Sequence, residues 1–412
     1  MPSYQAARHT VIDVTTKLHR EIPSEELDLN ADVPVAVGRV LLQDIFADRC
    51  YPPFDRSMRD GYALRSADAK EAPRTFCVVG ESKAGTPFDG EVVEGQCVQI
   101  MTGACVPHGA DAVVMLEYCH VGPASAADLI TLDRPAKPEQ NIVRAGTESA
   151  QGQKLLRRGQ RLGYAELALA AQAGATRIRV ARRPRVALLS TGDEVVPIDA
   201  QPGAYQIRNS NYVSLAAQVH LSGGEPVRLG NAPDALTDLH ELIELGLHQD
   251  MLVLSGGVSK GKYDLVEDVL LALGAESRFE SVDIRPGHPA VFATCAGKPV
   301  FGLPGNPVST MITFELFAAP AIDILSGSEP RVIPLFRAKL AAGVDRRARL
   351  THFIPARVSW VSGEAVVSET PYQGSADIAG LVESNCFLVV RPEKLQLAAG
   401  EMVEVMPRRG WL

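Results

Sequence analysis

Four consecutive apolar residues, Met251 to Leu254, are stopped abruptly by Ser255, Gly256 and Gly257. The run is too short for a helix and lacks polar alternation, so it reads as a strand buried on both faces, in a parallel sheet. Two glycines at the carboxyl end of such a strand let the backbone turn tightly and bring its N–H groups close to an anion. Gly-Gly also makes ordinary turns. The residues that follow, Leu265, Val266, Val269, Leu270 and Leu273, have helical spacing, opening at Asp264 and closing at Gly274. Strand, glycine loop and helix in that order form the kind of crevice in which an open α/β sheet holds its ligand.

The alternation extends on both sides of this unit. Residues 186–190, 226–229, 281–284, 291–294 and 299–303 read as strands, and 209–221, 234–247 and 307–324 as helices. Strands alternating with helices predict a doubly wound α/β domain with its ligand at the carboxyl ends of the strands. The loops that fall there are 192–194, 256–264, 285–288 and 304–306. Earlier in the chain, residues 4–50 read as helical with breaks, and Pro52-Pro53 marks a boundary. Strand-length pieces at 76–79, 98–101, 111–116 and 129–132 form a small β insert, and helix returns at 162–173. After Pro330 the tail is again β-like, with strands expected at 332–340, 353–360, 365–367, 386–390 and 402–405, and with a loop at 373–377 that could reach a ligand.

The expected architecture is therefore multidomain α/β plus β. Residues 1–50 with 150–180 form a discontinuous helical, mixed domain, and 51–149 a β-rich insert. Residues 181–328 form the central doubly wound α/β domain, and 329–412 a C-terminal β-barrel-like domain. A net charge of -8 argues against nucleic acid as the main partner. Seven cysteines without any C-x-x-C pair suggest free thiols in a reducing compartment. With no signal-like amino terminus and no stretch of about 18 apolar residues, no membrane is expected and cytoplasm is the default location.

Glu194, Asp234 and Asp264 are carboxylates beside or near these loops. Hard oxygen donors at a phosphate-type site suit Mg²⁺. Asp234 and Asp264 also stand at expected helix starts, where aspartate caps the backbone. Arg285 and His288 flank a Pro-Gly turn and could grip an anion. Lys260 and Lys262 either add to that charge or are solvated. Neither a nucleophile elbow nor a Walker loop is present, so the site is one for electrostatics and metal-assisted transfer.

Five motifs in fixed order, MRDGYA (58–63), IMTGA (100–104), STGDE (190–194), SGGVS with Tyr263-Asp264 (255–264) and PGNPVS (304–309), resemble the MoeA family of molybdopterin molybdenumtransferases, related to the second enzymatic domain of gephyrin. SGGVS and PGNP alone would also suit the single-domain adenylyltransferase MogA; the front half and the β tail point to MoeA. The resemblance covers nearly the whole chain. It implies a cytoplasmic homodimer that joins molybdate to adenylylated molybdopterin, releasing AMP with Mg²⁺ or a similar ion, between an upstream adenylyltransferase and the recipient molybdoenzymes. It places Asp60, Thr102, Glu194, Asp234, Asp264 and Ser375 at functional positions, with Asp60 facing the α/β site of the other subunit. Asp60, Glu194, Asp234 and Asp264 are the catalytic candidates, and Glu194 and Asp264 the metal ligands. Substrate contacts fall to Thr102, Glu148, Gly192, Ser255, Gly256, Gly257, Ser259, Arg285, His288, Pro304, Gly305, Asn306, Pro307 and Ser375. Arg285 and His288 replace lysines common in the family, Glu148 replaces an aspartate, and Met58-Arg59 stands where Ala-Met is commoner. A MogA-like adenylyltransferase and a non-catalytic cofactor carrier or scaffold are the competing functions.

Overall fold

A computed structural model describes residues 1–18, 21–122, 128–233, 235–257, 265–347 and 349–409. Packing divides the chain into two compact units: Met1–Gln43, Arg158–Gly163 and Arg177–Leu412 form one, and Asp44–Arg157 and Tyr164–Thr176 the other.

In the first unit, one six-stranded sheet carries the α/β fold. Its strands are β1 (Arg185–Thr191), β2 (Glu225–Ala232), β3 (Met251–Ser255), β4 (Glu276–Phe279), β5 (Val291–Cys295) and β6 (Lys298–Leu303), in spatial order 2-1-3-6-5-4. Strands β2, β1, β3 and β6 are parallel, while β5 is antiparallel to both β6 and β4. Helices α1 (Ser210–Leu221), α2 (Leu236–Leu247), α3 (Leu265–Ala272) and α4 (Pro307–Leu325) cover both faces. Strand parity explains the layering. Val186, Leu188, Met251 and Val253 pack with Leu215 and Val219 of α1 and Ile312 and Phe317 of α4. Ala187, Leu189, Leu252 and Leu254 pack on the other side with Leu239, Ile243, Val266 and Val269.

Two expectations change here. Residues 281–284 do not form a strand of this sheet. Val282 and Ile284 are buried because they lie on the core, and only Ile284–Arg285 pairs, with Thr351 and His352. The edge strand is β4 instead, whose sequence Glu-Ser-Arg-Phe has a single apolar residue and so no strand signature. The stretch 4–50 also contains a strand, Ser24–Asp28, paired antiparallel with Arg177–Ala181.

The tail forms a closed five-stranded barrel from β7 (Phe336–Leu340), β8 (Thr351–Val361), β9 (Glu364–Glu369), β10 (Cys386–Val390) and β11 (Met402–Pro407), in order 8-9-7-11-10 and back to 8. Alternate residues fill its interior, among them Leu340, Ile354, Leu388 and Val405. Their neighbours Phe353, Phe387, Val389 and Met406 face outward into the α/β core, which the amino-terminal helix Tyr4–Leu18 joins through Tyr4, Ala7 and Val11.

Against the expectation of no such stretch, helix α4 is long and apolar enough to cross a bilayer, but 89% of it is buried inside the protein. Its apolarity is that of a core helix. It widens into one π turn over Phe314–Ala318 just before Pro320. Proline has no N–H to give the carbonyl four residues back, and that carbonyl, on Leu316, accepts a 3.0 Å hydrogen bond from Arg8 Nη1 instead. Near the end of α4, Asp323 is 1% exposed and accepts hydrogen bonds from Arg161 Nη2 at 2.8 Å and Arg331 Nε at 3.0 Å.

The second unit is built on a six-stranded sheet in the order Ala112–Met115, Gly61–Leu64, Gln96–Ile100, Arg74–Ser82, Leu129–Leu132 and Cys119–Val121. Tyr62, Leu64, Phe76, Ile130 and Leu132 fill one face.

Removing one partner of a buried ion pair leaves the others uncompensated. Asp323→Asn is therefore expected to destabilise the first unit by roughly 3 kcal/mol, read as a lower urea midpoint; an unchanged midpoint would show that Arg161 and Arg331 do not depend on this carboxylate.

The glycine-loop crevice and the acidic loop

In the first unit, the parallel register sets Ser190 beside Ser255, and Ser255 beside Leu303. The loops after β1, β3 and β6 therefore leave the sheet from one edge. The chain runs from β1 out to β2 and back across to β3, so this edge is also the topological switch point, where open α/β sheets bind ligands.

The loops touch. A Cβ added to Gly256, whose φ is +91°, would lie 2.9 Å from both the carbonyl oxygen and the hydroxyl of Thr191. Gly305 lies against the Gly256 Cα, 3.6 Å from where its own Cβ would stand. The Gly256 N–H donates to the Leu303 carbonyl at 3.1 Å. Gly192 has φ +119°, and a Cβ there would meet the Glu194 carboxylate at 2.5 Å. Glu194 thus folds back over its own loop, with the residue exposed.

Side chains that the sequence did not single out hold these loops. Asn231, at the end of β2, donates from Nδ2 to the carbonyls of Gly192 and Val195 at 3.1 and 3.0 Å. Asn211, in the first turn of α1, donates to the Gly305 carbonyl at 2.7 Å. Asn209 caps α1 by accepting from the Tyr212 N–H at 3.0 Å, and its Nδ2 donates to Ser190 Oγ at 2.9 Å. β2 reads Glu-Pro-Val-Arg-Leu-Gly-Asn-Ala, so nothing in its pattern singles out Asn231. Thr191 Oγ1, Asn211 Oδ1 and Asn231 Oδ1 are buried and have no partner among the described residues. Such groups are costly to leave bare, and around a crevice they mark where water or a ligand belongs.

The Pro304-Gly305-Asn306-Pro307 loop starts α4, with Pro307 at its first turn. Ser375, on the loop after β9, is held there: Asn306 Nδ2 donates to Ser375 Oγ at 3.0 Å and the Val308 N–H to its carbonyl at 2.9 Å. Asp377 anchors that loop by accepting from the N–H groups of Gly380 and Gln373, which hold its carboxyl below the usual aspartate range. Arg285 is exposed, and Gly287 packs on Thr313 of α4. His288 Nδ1 donates to the Val282 carbonyl at 2.9 Å, since a carbonyl can only accept. Asp234, Ser259 and Asp264, with Lys260 and Lys262, lie outside the described residues. Among the described residues no three His, Cys, Asp or Glu groups cluster as a metal site.

The second unit brings together two of its expected residues. Asp60 Oδ1 accepts from the backbone N–H of Thr102 at 2.7 Å and from its hydroxyl at 2.9 Å. These two bonds hold the Asp60 carboxyl below the usual aspartate range. Glu148 stands apart, paired at 2.6 Å with Arg56, both exposed.

Three family models match the chain in succession: the MoeA N-terminal region (domain I and II) over residues 3–174, a probable molybdopterin binding domain over 187–323, and the MoeA C-terminal region (domain IV) over 337–407. The chain is 32% identical, over 97% of its length, to the molybdopterin molybdenumtransferase of Haemophilus influenzae, covering 98% of that protein. It is 36% identical over 82% of its length to the molybdopterin molybdenumtransferase of a Nostoc species, covering 77% of it. Two crystal structures of the molybdopterin biosynthesis MoeA protein of Pyrococcus horikoshii are similar throughout. One gives a TM-score of 0.76 at 30% identity, covering 100% of both chains. The other gives 0.78 at 27%, covering 99% of this chain and 100% of that one.

Two variants test the local geometry. Gly256→Ala forces a strained φ and a contact with Thr191, and is expected to cost about 1–3 kcal/mol in thermal unfolding, with a parallel loss of activity. Thr102→Val removes one of the two bonds on Asp60, so the Asp60 pKa should rise toward the ordinary aspartate value in a carboxyl NMR titration. The sign follows from the depressed value: the stability this carboxylate contributes is present above the ordinary aspartate pKa and is lost as pH falls through the depressed one. An Asp60 titration identical in both proteins would remove the hydroxyl from this account.

Proposed function

This chain belongs to the MoeA family of molybdopterin molybdenumtransferases, and we propose that its glycine-loop crevice is where the family's reaction takes place. It is an enzyme of molybdenum cofactor biosynthesis that inserts molybdenum into molybdopterin. In our reading, molybdate and adenylylated molybdopterin bind side by side, the molybdate meets the dithiolene, and the phosphoanhydride is cleaved with release of AMP. The observation that carries this is the contact of the loops after β1, β3 and β6 around the Thr191 hydroxyl, which has no hydrogen-bond partner among the described residues.

Ser255, Gly256 and Gly257, with Ser259, cradle the phosphate end, where only glycine lets backbone approach so closely. Gly192 lets Glu194 fold over the crevice mouth. Pro304, Gly305, Asn306 and Pro307 shape the opposite wall, and Ser375 extends it from the barrel. Arg285 and His288 supply cationic and hydrogen-bonding groups for an oxyanion. Asp234 completes the catalytic set.

A carboxylate among anionic substrates is repelled: two like charges at 4 Å cost about 4 kcal/mol at an effective dielectric near 20. A divalent cation removes that conflict, and the donors at hand are hard oxygens: the Glu194 carboxylate, the Thr191 hydroxyl and the Asn231 amide oxygen. They fit Mg²⁺, which takes one or two carboxylates together with substrate phosphates and water. Glu194, with Asp264, would hold it, and when bound it neutralises charge developing on the cleaved phosphate.

We further propose a homodimer in which Asp60 of one copy, supported by Thr102 and accompanied by Glu148, completes the crevice of the other. What supports this is that Asp60 is exposed and held ionised by Thr102, with no cation among its hydrogen-bond partners in the described residues. The upstream adenylyltransferase and the recipient molybdoenzymes are the protein partners in this scheme. Seven free cysteines suit a reducing compartment, and we place the enzyme in the cytoplasm.

AMP release from adenylylated molybdopterin is expected to depend on added molybdate; tight binding with no AMP release would mean a carrier. Glu194→Gln should lower the rate about 100-fold, as loss of one transition-state electrostatic group does, and should weaken Mg²⁺ binding in calorimetry. Mixing Asp60→Asn and Glu194→Gln subunits should restore about a quarter of wild-type activity if each site draws on two copies. No recovery in a mixture shown to exchange subunits would sink the shared-site proposal.

A further inference from the structure

In the second unit Ser57 is 2% exposed, although the three residues that follow it, Met58, Arg59 and Asp60, are all exposed. It ends the short strand Arg56–Ser57, where it stands opposite the buried Ile142. A hydroxyl in such a place costs free energy unless it is hydrogen-bonded. Ser57 Oγ is bonded twice to one residue: it donates to the Arg59 carbonyl at 2.5 Å and accepts from the Arg59 N–H at 3.2 Å. That carbonyl belongs to the peptide unit joining Arg59 to Asp60. A peptide unit is planar, so holding its oxygen sets the direction in which the Asp60 backbone leaves. On the far side, the Asp60 carbonyl accepts from the Leu116 N–H at 3.2 Å.

The main chain of the same serine holds the other loop. Its N–H donates to the Ala104 carbonyl at 3.0 Å, and its carbonyl accepts from the Gly103 N–H at 2.8 Å. Gly103 and Ala104 directly follow Thr102, and the Ala104 N–H closes their turn on the Met101 carbonyl at 3.0 Å. Ser57 thus fixes the acidic loop with its side chain and the threonine loop with its backbone. The two bonds from Thr102 to Asp60 Oδ1, at 2.7 and 2.9 Å, run between the loops it ties together. Exposed as it is, the Asp60 carboxylate meets Thr102 only while both backbones keep their separation.

We infer that Ser57 is a positioning residue for the reaction: its hydroxyl orients the Arg59–Asp60 peptide so that the Asp60 carboxylate rests on Thr102 and is presented in one orientation. This rests on the reading, proposed above, that Asp60 completes the crevice of the other copy. Ser57 is buried behind the loop and acts through Asp60. A misplacement of about 1 Å in a reacting geometry can cost about 100-fold in rate, so fixing one peptide plane next to Asp60 matters to turnover. Substituting Ser57 leaves its main-chain bonds to Gly103 and Ala104 available and removes only the hydroxyl, so the two halves of its role are separable by experiment.

The test compares Ser57→Ala with Ser57→Thr, which restores a hydroxyl, in the full-length enzyme. In a carboxyl NMR titration the Asp60 pKa, held down by the Thr102 bonds, should rise toward the ordinary aspartate value in Ser57→Ala and return in Ser57→Thr. Molybdate-dependent AMP release should fall about tenfold or more in Ser57→Ala, in kcat and not in KM. Adding Ser57→Ala to Asp60→Asn should cost nothing further, as expected of residues that act as a unit. Ser57→Cys, with its weak S–H donor, should fall between serine and alanine, and replaces either variant if that one does not fold. An Asp60 titration unmoved by Ser57→Ala overturns the inference whatever the activity. So does a full further loss in the double variant, or unchanged AMP release in Ser57→Ala beside an inactive Asp60→Asn. A raised Asp60 pKa with AMP release unchanged in both Ser57→Ala and Asp60→Asn would instead sink the reading of Asp60 itself.

Discussion

The parallel pairing of β1 with β3, and of β3 with β6, is the constraint on which the rest of the first unit depends. A parallel pair cannot be closed by a tight turn; each strand must be reached by a crossover, and every carboxyl end then emerges on the same edge. Three loops far apart in the chain are thereby pressed together, closely enough that a methyl group on Gly256 would strike Thr191. The order 2-1-3 adds the change of winding direction that opens a crevice at that edge. The site follows from topology first and from its polar side chains second.

That dependence explains what the sequence disclosed. Strands β1, β3 and β6 are buried on both faces, so they appear as uninterrupted apolar runs ended by glycine or proline, and their loops can be located from the order of residues alone. The strand pieces of the second unit are marked by the same punctuation. What escaped were elements whose partner is distant and whose faces are wet. Ser24–Asp28 is Ser-Glu-Glu-Leu-Asp and exists because Arg177–Ala181 pairs with it, a pairing that Arg177 reinforces by reaching Glu26 at 2.8 Å. β4 carries one apolar residue because it is an edge strand. Residues 281–284 misled because burial alternates there without a sheet beneath it. The closing of the barrel rests on β8 meeting β10, a non-local pairing that no periodicity announces.

The candidate site divides in the same way. The glycines, the Pro-Gly-Asn-Pro loop, Glu194 and Ser375 were legible as motifs, because few residue types permit such backbone or supply such chemistry. Asp60 and Thr102 were legible only separately; the strand pairing of Gly61–Leu64 with Gln96–Ile100 makes them one hydrogen-bonded unit. Asn211 and Asn231 were missed because a supporting residue acts on backbone carbonyls, and nothing local in sequence reveals which carbonyl that will be.

Helix α4 shows how the modules of the first unit are kept in register with the crevice. Its first turn carries the Pro-Gly-Asn-Pro loop and meets Ser375 from the barrel; its middle packs in the same core as the amino-terminal helix and the outward face of the barrel; its last turn buries Asp323. A straight ladder of hydrogen bonds cannot run through Pro320, so the π turn and the Arg8 contact on the Leu316 carbonyl are what allow a single helix to serve all three contacts. Because interiors are close-packed and transmit displacement, the position of Asn306 at one end of α4 is set partly by Arg161 and Arg331 gripping Asp323 at the other. The two guanidinium groups on Asp323 are therefore a structural support for the crevice, acting along the length of α4.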